Sequence, residues 1–293
     1  MRLLLAAPLI ALSVLRAPGP TPFIFATIDR PIGVAVTAST VFATQECSFQ
    51  ITAFTPDGNS SLFATLPKSG KLCTERYIAV PPAWFGGDLF ATQGRIAFRI
   101  SGGTVIRFAK LPPSVPPNGI GITFDRVGNW GGDMILTSHD GQVWRVSASG
   151  SATFVADLGA QAEGPAVAPP SFSAAPGDIL VANKFANTVY AVEPDGTVMA
   201  LASWDSPEKV DSFPSQPCTV GAGGPVYLVA LRGDDQLVGF PRGNFTGLGG
   251  AMVTSELETT MANLANNGTI SPWSGPLGTQ GDEALEGSDF CGA

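Results

Sequence analysis

Short runs in which apolar residues alternate with small or polar ones follow one another along this chain, and their order repeats about every forty-five residues. Each unit opens on an extended phrase, usually with an early Gly: RPIGVAV from Arg30, RYIAVPP from Arg76, PNGIGITF from Pro117, AEGPAVAP from Ala162, PEKVDSFP from Pro207 and ALEGSDFCG from Ala284. A second run follows, more continuously apolar: TVFATQ, GDLFATQ, GDMILTS, GDILVAN, PVYLVAL and GAMVTSE. The third runs, such as QVWRVS and TVYAVE, alternate in the period of two that suits a strand buried on one face. Fourth runs such as SLFATLP and TVIRFAKLP close the unit. Pro56-Asp57-Gly58 and Pro194-Asp195-Gly196 sit between third and fourth runs, where a tight reversal needs those residue types. Four short antiparallel strands in forty to fifty residues is the period of a propeller blade, so the pattern predicts an all-β, six-bladed β-propeller of four-stranded antiparallel blades. Only MVTSELETTMANLANN has a weak helical look, set against its β neighbours.

The order breaks once. After the third run of the fifth unit, which read in order joins PEKVDSFP to PVYLVAL and QLVGFP, PRGNFTGLGG leads straight into another second run. A fourth and a first strand are skipped there, and two unplaced strands match them: TPFIFATID at 21–29 and LEGSDFCG near the C-terminus. Terminal strands that pair into the last blades close the ring and leave no sheet edge open. With no charged or Ser-rich linker in between, residues 22–293 are expected to form a single domain. Ahead of it, MRLLLAAPLIALSVLRA places Arg2 before an apolar run from Leu3 to Val14. That run is shorter than the roughly twenty residues of a bilayer span. It reads as a signal peptide over residues 1–17, with cleavage after Ala17 or, as a second candidate, Ala26; an uncleaved anchor is the alternative. A secreted protein is expected, extracellular or periplasmic, with no membrane span once the signal is removed.

Charge narrows the partners. Sixteen basic against 24 acidic side chains give a formal charge of -8, which repels a phosphate backbone and argues against nucleic acid. With 35 Gly, 25 Pro and 14% charged residues, the composition is one of many turns and few solvated helices. Four Cys permit three pairings. In such a ring the second-to-third loops share one face with the blade-to-blade connections, and the other loops lie opposite. Cys47 and Cys73 fall on the first face, Cys218 and Cys291 on the second, so the pairs Cys47–Cys73 and Cys218–Cys291 are expected. Four free thiols in a reducing compartment are the alternative.

Openers and second-to-third loops surround one mouth of the channel. They bring Arg30, Glu75 with Arg76, Asn118, Glu163, Glu208 and Glu286 together with loop residues that include Gln45, Glu46, Gln93, Asn183, Arg232 and Glu256. Convergent carboxyl and amide oxygens are what Ca²⁺ takes, six to eight at a time. Any one of these side chains could instead cap the backbone or pair with Arg76 or Arg232. His139 is the only His, and its Ser-His-Asp-Gly context predicts an ordinary exposed turn. No GxSxG, HExxH, P-loop or EF-hand pattern occurs. The five Trp are expected to pack between blades, with a sugar-stacking surface as the alternative.

At Glu163-Gly164-Pro165, Glu286-Gly287-Ser288 and Asn118-Gly119 the chain resembles the wider group of six-bladed propellers that includes the senescence marker protein-30 and gluconolactonase family and NHL-like rings. The resemblance implies a divalent metal, Ca²⁺, held at the mouth by Glu286, Asn118 and Glu163. That ion would polarise a lactone carbonyl for attack by water, with Glu208 or Glu75 accepting the proton. The match requires a permuted chain order, and Glu163 stands where the family has Asp. The expected function is a secreted, metal-dependent hydrolase of a lactone or other ester. The alternative is a noncatalytic monomer that binds a small molecule, a glycan or a protein in the extracellular space.

Overall fold

The computed structural model describes residues 21–68, 72–115, 120–257, 260–273 and 285–292. The signal-peptide residues 1–17 and the expected metal ligand Asn118 lie outside these.

Every long element among the described residues is a strand, as the period of two requires. Strand β1 (Phe23–Thr27) comes first, and blade one follows as β2 (Pro31–Val36), β3 (Val41–Gln45), β4 (Gln50–Phe54) and β5 (Ser60–Thr65). Blade two is β6 (Ile78–Ala79), β7 (Leu89–Gln93), β8 (Ile96–Ser101) and β9 (Thr104–Lys110). Blade three is β10 (Ile120–Phe124), β11 (Met134–Ser138), β12 (Gln142–Val146) and β13 (Ala152–Asp157). Blade four is β14 (Ala162–Val167), β15 (Ile179–Asn183), β16 (Thr188–Val192) and β17 (Val198–Ser203).

The last two blades interlock. β18 (Pro207–Ser212) starts blade five, but the chain then crosses to blade six for β19 (Tyr227–Leu231) and β20 (Gln236–Phe240). A 3-10 turn at Arg242–Phe245 leads back to blade five for β21 (Ala251–Ser255), β22 (Met261–Leu264) and β23 (Ile270–Pro272). β24 (Leu285–Phe290) completes blade six, whose order β1-β20-β19-β24 takes one strand from each end of the chain. Ring closure by terminal strands is therefore as expected. The composition of the fifth unit is a correction: β18 pairs with β21, Val210 opposite Val253, while β19 pairs with β24, Leu228 opposite Asp289. Both candidate second strands carry the same apolar pattern, so local sequence offers no basis for choosing between them. The segment with a helical look is β21 and β22.

Six hydrophobic clusters fill the six interfaces between neighbouring blades. Second strands such as β11, β15 and β19 are buried along their whole length, because both faces of the sheet meet another blade there. Outermost strands such as β5 and β17 are largely exposed. Inner strands crowd around the channel. A Cβ on Gly287 of β24 would sit 2.1 Å from the Ile32 carbonyl oxygen of blade one, and one on Gly121 of β10 would sit 2.9 Å from the Glu163 carbonyl oxygen of blade four. Glycine lets these strands approach so closely.

Both expected disulfides form, Cys47–Cys73 beside the mouth where the inner strands begin and Cys218–Cys291 at the opposite end. Two such crosslinks suit an oxidising compartment. Among the described residues, no helix is long and apolar enough to cross a membrane.

Candidate metal centre at one channel mouth

Two rings of residues build the mouth. One comes from the starts of the inner strands: Ile32, Tyr77, Ile120, Glu163, Glu208 and Glu286, all buried. Half of this ring is apolar and half acidic. The other consists of the residues that immediately follow the second strands, among them Glu46, His139, Lys184, Arg232 and Glu256. Because every blade delivers the same two positions, residues far apart in sequence become neighbours.

The carboxylates divide among their partners. Lys184 Nζ lies 3.0 Å from Glu208 Oε2 and 3.8 Å from Glu163 Oε1, and it also pairs with Glu256. Arg232 NH1 lies 3.2 Å from Glu286 Oε1 and 3.8 Å from Glu46 Oε2, while Arg30 pairs with Glu46. Tyr77 of blade two donates a 2.8 Å hydrogen bond to Glu208 Oε1 of blade five, so this bond crosses the channel. On the remaining side, His139 Nε2 lies 3.0 Å from Glu75 Oε2 and 3.4 Å from Glu163 Oε2. Neither His139 Nε2 nor Glu163 Oε2 makes a hydrogen bond. One ligand atom from each of Glu75, His139 and Glu163 falls within 4.8 Å of the others, the arrangement a metal ion needs.

Electrostatics reflect this crowding. Burial would lower the His139 pKa, but Glu163 and Glu75 beside it outweigh burial and raise it to about 10. Burial would likewise raise Glu75, and His139 holds its carboxyl below the usual value. Burial and then the negative charge of Glu163 push Glu208 well above the ordinary carboxylate range. Glu286 is pushed up to about 8 by burial and Glu75, against the pull of Arg232. Lys184 is raised, since Glu208, Glu163 and Glu256 overcome the effect of burial. Excess negative charge is thus relieved by proton uptake, which a bound cation would replace.

Of the expected ligands, Glu163 joins this group, Glu286 stands at the same mouth paired with Arg232, and Asn118 is outside the described residues. Glu75 and Glu208, expected as bases, are both at the mouth, Glu75 as a member of the ligand group. His139 corrects the expectation of an exposed turn, its side chain being only 16% exposed and turned inward on the two carboxylates. Arg76 also departs from expectation: it reaches the carbonyls of Glu46, Leu72 and Thr74 and stacks on Phe49, holding the loop next to Cys73. Lys184 was missed by the sequence reading. Its signal was its place directly after a second strand, the position that His139 and Arg232 share. Trp130 and Trp144 are core, whereas Trp84 is 63% exposed on the other side of the ring.

No protein-family model matches the chain, and no curated protein matches it. Solved structures do. A crystal structure of a nidogen/laminin complex superposes with a TM-score of 0.58 at 12% identity, over 89% of this chain and 84% of that one. A structural-genomics protein of unknown function from Bacteroides thetaiotaomicron gives 0.57 at 13% identity, over 94% of this chain and 67% of that one. A streptogramin B lyase gives 0.53 at 14% identity, over 90% and 88%. At such identities the likeness carries the fold alone: the chain is a six-bladed β-propeller.

Proposed function

We propose that this propeller binds a divalent metal ion through Glu75, His139 and Glu163, and that the centre serves the hydrolysis of a small ester or lactone. The convergence of the His139 imidazole and two carboxylates at one mouth of the channel carries the reading. A nitrogen donor among oxygens suits Zn²⁺, Mn²⁺ or Fe²⁺ better than Ca²⁺, so the expectation of calcium gives way to a borderline metal. When bound, such an ion supplies Lewis acidity to a carbonyl. The chain's own groups would do the rest. Lys184 provides a fixed positive charge beside Glu163, and Glu208 and Tyr77 form a hydrogen-bonded pair across the channel. The apolar half of the ring, Ile32 and Ile120, limits water below the site. The resemblance to lactonase-type propellers agrees with chemistry at this mouth.

The test is elemental analysis of protein purified without chelator. About one equivalent of metal per chain is expected, falling at least tenfold in Glu163→Gln and His139→Ala, with hydrolysis across an ester and lactone panel lost in parallel. Full metal retention in both variants would rule the site out. A noncatalytic reading rests on a different observation, that the Lys184 ammonium already neutralises much of the acidic half-ring. Metal binding with no turnover on any ester or lactone would favour it.

A further inference from the structure

The opposite end of the channel holds a separate cavity of about 350 Å³, large enough for a small organic molecule. Its walls are largely apolar, with Val34, Ile122, Phe124, Val167 and Phe213 contributed by four different blades. Its polar groups come from two sides, Lys209, Asp211 and Ser212 of β18, Ser215 beyond it and Ser288 and Asp289 of β24 on one, and Thr123 of β10 with Arg126, exposed at the rim just after that strand, on the other. That composition, an apolar body with a small convergent polar patch, is typical of a ligand site rather than of a solvent-filled opening.

These polar groups have unused capacity mainly of one kind. Asp211 already accepts from Tyr227 Oη at 2.9 Å, from Ser288 Oγ, and from Lys209 Nζ at 3.2 Å. Asp289 Oδ2 accepts from the Val36 amide at 2.7 Å. Lys209 uses one of its three donors on Asp211. Arg126 uses one NH2 donor on the Val80 carbonyl at 2.7 Å. Ser212 Oγ is buried and without a hydrogen-bond partner. The spare groups are therefore mainly donors on two cations, while Asp211 already takes three donors.

We propose that this second mouth binds a small monoanionic amphiphile, a compact apolar body bearing one carboxylate, with the carboxylate held by Lys209 and Arg126 and the body lying against Ile122, Phe124 and Phe213. The site lies at the opposite end of the channel from the metal centre. Its occupancy is linked to Asp289. The groups facing that carboxyl are Asp211 and Lys209 from β18, Arg126 after β10, Tyr227 of the paired strand β19 and the Val36 amide of β2. Burial and Asp211 push it up to about 8 against the pull of Lys209. Protonated Asp289 can donate to the ligand carboxylate, whereas ionised Asp289 repels it, so affinity falls as pH rises through about 8.

Calorimetric titration with octanoate, octanol and octylamine, all in the presence of EDTA so that no metal contributes, tests the assignment. Octanoate is expected to bind once per chain and at least about tenfold more tightly than the alcohol or the amine. Arg126→Gln, a substitution at an exposed position that leaves the core untouched, should weaken octanoate by about tenfold, and Lys209→Gln by at least as much. Asp289→Asn should abolish the loss of affinity between pH 7 and 9. Equal binding of octanol and octanoate, unchanged octanoate affinity in Arg126→Gln, or no binding of any of the three would overturn the proposal.

Discussion

Asp289 illustrates how burial converts a common side chain into a titratable device. Its folded carboxyl releases its proton near 8, whereas the unfolded chain does so near the ordinary 3.8. Between those values the folded state holds a proton that the unfolded state has lost, so stability is full below the lower value and declines as pH rises toward the upper one. Asp289→Asn keeps an acceptor for the Val36 amide and removes the ionisation. Urea unfolding midpoints measured from pH 4 to 8 should therefore fall less steeply in the variant, by on the order of a few kcal/mol across the window. An identical slope would mean that Asp289 does not titrate in this range. His139 shows the limit of reading one residue at a time. Its turn-like context was correctly seen, but what the imidazole faces depends on Glu75 and Glu163, which belong to two other blades.

At the level of strands, approach distance is the controlling quantity. Gly287 of β24 lies against β2 so tightly that any side chain would collide with the Ile32 carbonyl, a backbone atom that cannot rotate away. Gly287→Ala is expected to cost about 1 to 3 kcal/mol, read as a lowered denaturation midpoint with little change in secondary structure. An unchanged midpoint would show that the inner strands can slide apart. The early Gly of the opener phrase was plain in the sequence, and its cause is this close contact. Pairing of the openers was not. β18 and β24 are similar phrases, β19 and β21 are similar apolar runs, and either combination buries the same kinds of faces. The choice falls to contacts made only after the ring forms, such as the hydrogen bond from Tyr227 of β19 to Asp211 of β18.

Across the whole molecule the ring must be held shut. Blade six joins β1 to β24, the two ends of the described chain, and Cys218–Cys291 ties the C-terminal strand to the connection that precedes β19. A crosslink over a separation of 73 residues restricts the unfolded chain strongly. Replacing both Cys218 and Cys291 by Ser should lower stability by roughly 4 kcal/mol and loosen blade six first, seen as faster amide exchange in β24 than in β11. Uniform exchange in all blades would mean that closure does not depend on this bond. The two mouths differ in chemistry as well. Cation-seeking carboxylates gather where inner strands begin, and an apolar cavity with spare cationic donors opens where they end.

Repeat period, strand type, blade number, the two disulfides and many of the residues around one mouth could be read from the order of residues, because each depends on spacing that every blade repeats. Pairing of the interlocked blades, the inward turn of His139, the role of Lys184 and the existence of the second cavity could not. Those are set by distances between residues on different blades, which alternation along a strand does not encode and which exist only once the ring has closed.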